Sequence, residues 1–304
     1  MFRIIQKRKI WFIVSAIIII PGLVAIFTGG LNLGIDFTGG SLIRIAFNNQ
    51  VPTAQSIEEK LADLELGNLK IQPLGEKEMT IRLKDIDNTT HKKILEILKE
   101  EFGDVEERSF ESIGPTIGQE LRERAVMAIT LVLVFIIIYI SFAFRKVAGG
   151  AVKSWVYGLG AVAALFHDIL VVVGIFAILG KFLHVEIDIL FITALLTILG
   201  FSVHDTIVVY DRVRERLKLS YQKSFEEIVN ESVNQTLIRS LNTSFTTLLV
   251  LLCLYLFGGQ SIQYFVLALI IGIIAGTYSS IFVASPFLVV WHRLRQKRMD
   301  LKNQ

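Results

Sequence analysis

Apolar residues gather into six long runs, at about 10–28, 125–144, 155–179, 187–210, 237–257 and 264–290. Each is close to the roughly 20 residues that a helix needs to cross hydrocarbon. Between the first two lies one large polar insert, residues 29–124, where the period changes. Ser41–Phe47 and Glu78–Lys84 alternate like half-buried strands, and Leu69–Gln72 reads as a short one. Thr53–Leu64 predicts a helix capped by Thr53, with Ile57, Leu61 and Leu64 on one face. Asn88–Phe102 predicts a second, with Ile94, Leu95, Leu98 and Phe102 inward, and Val105–Ile113 a closing strand. The order βαββαβ describes a small ferredoxin-like α+β domain. The expected organisation is an N-terminus and first helix over 1–28, an insert domain over 29–124, helices two to six over 125–290, and a basic tail over 291–304.

Composition agrees. The 304 residues are 53% hydrophobic and 19% charged, too apolar for a soluble domain. The first run is too long for a signal peptide and lacks a small-x-small cleavage site, so it reads as a retained span. The single cysteine, Cys253, excludes an intramolecular disulfide and a cysteine-based metal site. Neither the insert nor the connector between the fourth and fifth runs carries a catalytic constellation, so an enzyme is not expected. No cofactor and no nucleic-acid partner is expected either.

Orientation follows from the short flanks. Arg3, Lys7, Arg8 and Lys9 precede the first run, and Arg145, Lys146 and Lys153 separate the second from the third. Arg212, Arg214, Arg216, Lys218 and Lys223 follow the fourth, and Arg293, Arg295, Lys297, Arg298 and Lys302 follow the sixth. The opposite connections, 180–186 and 258–263, carry only Lys181. Both termini are thus expected in the cytoplasm, and the insert outside it. Residues 211–235 read as a polar amphipathic connector along the membrane surface.

Charge inside the apolar runs is the candidate chemistry. Asp205 sits in the fourth run, where a charge costs roughly 2.5–3.5 kcal/mol on insertion scales. Arg239 enters the fifth. Two facing intramembrane charges of opposite sign point to a proton or ion relay. Ile198, Ser202, Asp205 and Val209 share one helical face, as do Thr236, Ser240, Thr243 and Thr247 on the next helix. Hydroxyls at this density either bond helices together or line a hydrated path. His204 either modulates the proton affinity of Asp205 or bonds elsewhere.

His167-Asp168 forms a second polar pair in the third run. Consecutive residues point about 100° apart on a helix, so the two are expected to face different partners. Either they bond to neighbouring helices, or His167 passes protons. Before the insert, Gly34-Ile-Asp-Phe-Thr-Gly-Gly40 predicts a turn at Gly39-Gly40 into the first strand, with Asp36 as a local cap. Gly272, Gly276, Ser279, Ser280 and Ala284 form a small-residue stripe suited to close helix packing.

Five stretches in order resemble the bacterial SecF family. They are Gly34–Gly40, the pair His167-Asp168, Gly200-Phe-Ser-Val-His-Asp-Thr206 running into Asp211-Arg212, Gln235-Thr-Leu-Ile-Arg239-Ser-Leu-Asn-Thr243, and Gly276–Pro286. Where that family reads Tyr-Ser-x-Asn-Asp-Thr around the fourth-span acid, Phe201 and His204 stand here in place of Tyr and Asn, and the acid is kept as Asp205.

The resemblance implies a polytopic α-helical membrane protein forming half of a resistance-nodulation-division (RND) type transporter. It has six transmembrane helices and a ferredoxin-like α+β extracytoplasmic domain between the first two. It implies an accessory subunit of the Sec translocase that, with SecD, uses the proton-motive force to promote late stages of preprotein translocation. Asp205, Arg239, His204 and Thr243 would carry protons, with H+ or Na+ as the coupling ion. The implied partners are SecD, the SecYEG channel, YajC, YidC and the unfolded preprotein, in the bacterial inner membrane. The competing readings are a stand-alone exporter of small molecules or lipids and a non-transporting scaffold of the translocon.

Overall fold

The structure, a computed structural model, describes residues 2–48, 51–64, 66–67, 69–75, 77–145, 152–219 and 222–301. Lys146 and Lys302, two of the basic flanking residues, lie outside these. In chain order the elements are α1 (Arg8–Gly29), α2 (Ile35–Thr38), β1 (Gly40–Phe47), α3 (Ala54–Leu61), β2 (Lys70–Leu74), β3 (Glu78–Leu83), α4 (Asn88–Phe102) and β4 (Val105–Ile113). There follow α5 (Pro115–Ala143), α6 (Ser154–Leu183), α7 (Ile189–Leu219), α8 (Phe225–Phe257), α9 (Gln263–Ser279) and α10 (Ser285–Asp300). The chain divides into two compact units, residues 33–126 and the remainder.

The smaller unit is a four-stranded antiparallel sheet of order β2-β3-β1-β4. The predicted period survives in its core. Ile43, Ile45 and Phe47 from β1, and Met79, Ile81 and Leu83 from β3, meet Ile57, Leu61, Ile94 and Leu98 of α3 and α4. Local chemistry sets both helix starts: Thr53 Oγ1 accepts from Ser56 N at 3.2 Å and Asp87 Oδ1 from Thr90 N at 2.9 Å. The Thr90 side-chain and backbone hydrogen bonds hold the exposed Asp87 carboxyl below its usual range. Pro73 sits on the edge strand β2, where a missing N–H does least harm.

In the larger unit, six helical stretches among the described residues are long and apolar enough to cross a membrane. Helix α7 runs on to Leu219 and α8 begins at Phe225, so the expected surface connector is replaced by extensions of the two spans. A capping box at Ser224 and Glu227 starts α8 at that point. Arg212 Nε and Arg216 Nε donate to Gln235 Oε1 at 2.6 and 3.1 Å, which ties the two extensions together and keeps them helical.

Close backbone approach fixes the bundle. A Cβ on Gly22 would lie 2.6 Å from Gly174 Cα, so α1 meets α6 with no side chain between them. Gly272 and Gly276 face Ile198 and Ser202, where an added Cβ would come within 2.2 and 2.9 Å, so α9 lies directly on α7. The last span is interrupted by a π-helical turn over Ser280–Ala284. Pro286 lies just beyond and lacks the N–H that a regular helix would offer to Phe282, which accounts for the wide turn.

Candidate functional site

Asp205 is 2% exposed and lies on the α7 face that also buries Ile198, Ser202 and Val209. Its Oδ2 has no hydrogen-bond partner, and neither has the buried Ser240 Oγ of α8. His204, Ser240 and Arg239 are the groups close enough to act on its carboxylate. A buried carboxylate oxygen left unbonded is costly in hydrocarbon.

Arg239 does not form the expected ion pair. The buried face of α8 is Thr236, Ser240 and Ser244, and Arg239, one residue off that face, is exposed. It reaches Asp205 through the field of its charge and not by contact. Thr243 is also displaced from the predicted face: it is exposed, and its Oγ1 bonds back to Arg239 O at 3.0 Å. Thr246 and Thr247 likewise bond to Thr243 O, so these hydroxyls satisfy their own helix instead of a neighbour. His204 is exposed next to the buried Asp205.

The better-connected polar site is the pair read as secondary. His167 and Asp168 were expected to face different partners, yet the imidazole folds back so that Nδ1 lies 3.1 Å from Asp168 Oδ1. Rotation about the His167 side chain overcomes the 100° between the Cα positions. The other oxygen of Asp168, itself fully buried, accepts from Ser202 Oγ at 2.6 Å and Ser279 Oγ at 2.9 Å. His167 Nε2 lies 3.1 Å from Ser15 Oγ of α1. One carboxylate and one ring thus join α1, α6, α7 and α9.

The same ring can hold either of two proton inventories without moving a heavy atom. With Nδ1–H donating to the carboxylate, a neutral ring accepts from Ser15 at Nε2. A charged ring donates to Ser15, whose hydroxyl then turns to Tyr278 OH, 3.4 Å away. Tyr278 OH in turn donates to Trp11 O at 2.7 Å. On the other side, Ser280 Oγ donates to Ser202 O and accepts from Thr206 Oγ1 at 2.8 Å, joining the π-helical turn to the residues flanking Asp205. Sequence reasoning did not single out Ser202 and Ser279 as partners of Asp168, or Ser15 as the partner of His167, because small hydroxyls in apolar runs look like packing residues until the fold is known.

The glycine motif belongs to the other unit and has a local task. Asp36 lies in the single turn α2, and Gly39 and Gly40 follow with φ of 71° and 122°, in the region that favours glycine. A Cβ at Gly39 would meet Pro115 Cα at 2.8 Å and one at Gly40 would meet Leu83 O at 2.7 Å. The turn therefore lets β1 start beside β3 and against the first residue of α5. Among the described residues, no three of His, Cys, Asp and Glu gather to hold a metal.

Comparison with known proteins gives a consistent result. Residues 93–294 match the family described as "Protein export membrane protein SecD/SecF, C-terminal", and residues 24–51 match "SecD/SecF GG Motif". The chain is similar to the protein translocase subunit SecF of Thermobaculum terrenum, 48% identical over 96% of this chain and 94% of that one. It is similar to the subunit of the same name from Anaerolinea thermophila, 39% identical over the same shares. Among solved structures it superposes on SecDF of Thermus thermophilus, described as a translocon-associated membrane protein, with a TM-score of 0.83 at 32% identity. That match covers 95% of this chain and 38% of the SecDF chain, so the chain spans well under half of it.

Proposed function

The chain belongs to the SecF family of protein translocase subunits, and from that premise we infer that it works as one half of a transporter completed by a SecD partner. It is an accessory component of Sec-dependent protein export. In this reading the partner supplies the part of the longer SecDF chain that this one does not span. The pair sits in the bacterial inner membrane with both termini cytoplasmic, and it associates with SecYEG, YajC and YidC around an unfolded preprotein.

The observation that carries the mechanism is Asp205. Its carboxylate is buried with one oxygen unbonded, and Arg239 acts on it from an exposed position. In the assembled pair a proton reaching Asp205 removes the charge that Arg239 balances. Helix packing then shifts between α7 and α8. His204 and Thr243, exposed on the same two helices, stand where an access path from the partner would run. One proton crossing 100 mV releases about 2.3 kcal/mol, enough over several protons to drive a domain rearrangement. The coupling ion is H+, and Na+ would use the same carboxylate.

The test is Asp205→Asn against wild type in membrane vesicles under an imposed proton gradient, reading the late, gradient-dependent stage of preprotein export. Loss of that stage with normal SecD assembly is expected. Unchanged export would leave the chain a scaffold.

A further inference from the structure

Helices α1, α8 and α9 enclose a groove of about 780 Å³. Its walls are apolar: Trp11, Leu241, Phe245, Leu248, Ile274 and Phe282. The hydroxyls on its floor are already engaged, Ser244 Oγ with Thr277 Oγ1 at 2.5 Å and Tyr278 OH with Trp11 O.

Its mouth differs. Arg3 and Lys7 line that end, both exposed and, among the described residues, without a carboxylate partner. Some nearby cations are paired: Arg8 and Arg293 share Glu226, and Lys223 pairs with Glu231. The free pair is held in place and does not trail. Asn234 Oδ1 accepts from Phe2 N at 2.8 Å, and Asn230 Oδ1 accepts from Ile5 N at 3.1 Å. Both amide nitrogens donate to Phe2 O, so the segment bearing Arg3 is pinned to α8.

The length of the slot identifies its occupant. From Leu237 to Leu248, the limits of the groove on α8, the helix rises about 16 Å. That is about half of the roughly 30 Å hydrocarbon core, the depth of one leaflet. A partner helix would need a groove running the full thickness. We propose that this groove binds an anionic phospholipid of the leaflet facing the basic end, with an acyl chain in the slot and the phosphate on Arg3 and Lys7. Charge-assisted hydrogen bonds from the two cations supply the headgroup preference. The site stands apart from Asp205, so its fate is independent of the proton reading.

The test uses the full chain, purified with its SecD partner and reconstituted in nanodiscs. Phospholipids carrying a photoreactive diazirine at the acyl terminus are supplied with either a phosphatidylglycerol or a phosphatidylcholine headgroup, and labelled peptides are mapped by mass spectrometry. Phosphatidylglycerol is expected to label the 241–248 peptide in preference to phosphatidylcholine. In Arg3→Gln/Lys7→Gln that labelling is expected to fall about tenfold, to the phosphatidylcholine level, while phosphatidylcholine labelling stays constant. The charge-keeping Arg3→Lys/Lys7→Arg should retain the preference. Equal labelling by both headgroups in the wild type would overturn the proposal. So would a fall in both together in the Gln variant, or no label on these helices because a protein partner covers the groove.

Discussion

His167 Nδ1 lies 3.1 Å from Asp168 Oδ1, although the two residues are consecutive on one membrane helix. Such a contact spends the whole side of the ring that faces the carboxylate and leaves Nε2 free for α1. The pair is therefore a junction of four helices, with the acid saturated by a ring nitrogen and two serines.

The serine bonds of that junction should depend on Asp168. Ser202→Ala is expected to cost about 0.6–1.7 kcal/mol in the wild-type background, the range measured for hydrogen bonds between membrane helices. In an Asp168→Leu background the same change should cost close to nothing, because its acceptor is gone. Thermal unfolding of the purified protein in both backgrounds gives the coupling. Equal costs would mean that the 2.6 Å contact contributes nothing to stability.

Gly22 tolerates no larger residue. The Cβ of Gly22→Ala would stand 2.6 Å from the Cα of Gly174, and backbone cannot yield as a side-chain end does. A loss of about 1–3 kcal/mol is expected, as for overpacked cores. Gly200→Ala, where an added Cβ meets nothing within 4 Å, is the matched control and should leave the unfolding temperature unchanged.

The smaller unit should soften in acid at one defined place. Asp87 caps α4, and the Thr90 hydrogen bonds hold its folded pKa below the unfolded value of about 3.9. A depressed carboxyl contributes stability above its unfolded pKa and loses it as pH falls through the folded one. Below about pH 4 the first turn of α4 should therefore fray in wild type. Asp87→Asn, which caps without ionising, should show a flatter acid profile. Limited proteolysis at the Asp87–His91 turn across pH 3–6 reads the difference, and identical profiles would count against the ionised cap.

Legibility from sequence followed the range of the interaction. In the smaller unit, alternation at Ser41–Phe47 and Glu78–Lys84 and the cap at Thr53 are local signals, and strands and helices start within a residue or two of their expected limits. Six spans were equally plain, because twenty consecutive apolar residues need no partner to be recognised. The faces of α8 were not. Thr243 was assigned to the buried side from spacing alone, whereas Ser244 occupies it, because the rotation of a span is set by where α7 and α9 lie. Asp205 could be found from the cost of its charge. The contacts of the His167-Asp168 pair could not, since Ser15 lies 152 positions from His167 and Ser279 111 from Asp168, and only the fold brings them together. The cost of intramembrane charge alone paired Asp205 with Arg239, and the isolated chain keeps that relation at a distance.

Helices α7 and α8 are 31 and 33 residues long, about 47–50 Å of rod where the hydrocarbon is about 30 Å deep. Beyond that depth the two are tied together where Arg212 and Arg216 of α7 donate to Gln235 of α8. Under the proposed proton relay, a small rocking at Asp205 would become a larger sweep at the far end of that tied pair. The tied ends would then act as a pointer, reporting the state of a buried acid to whatever rests against them.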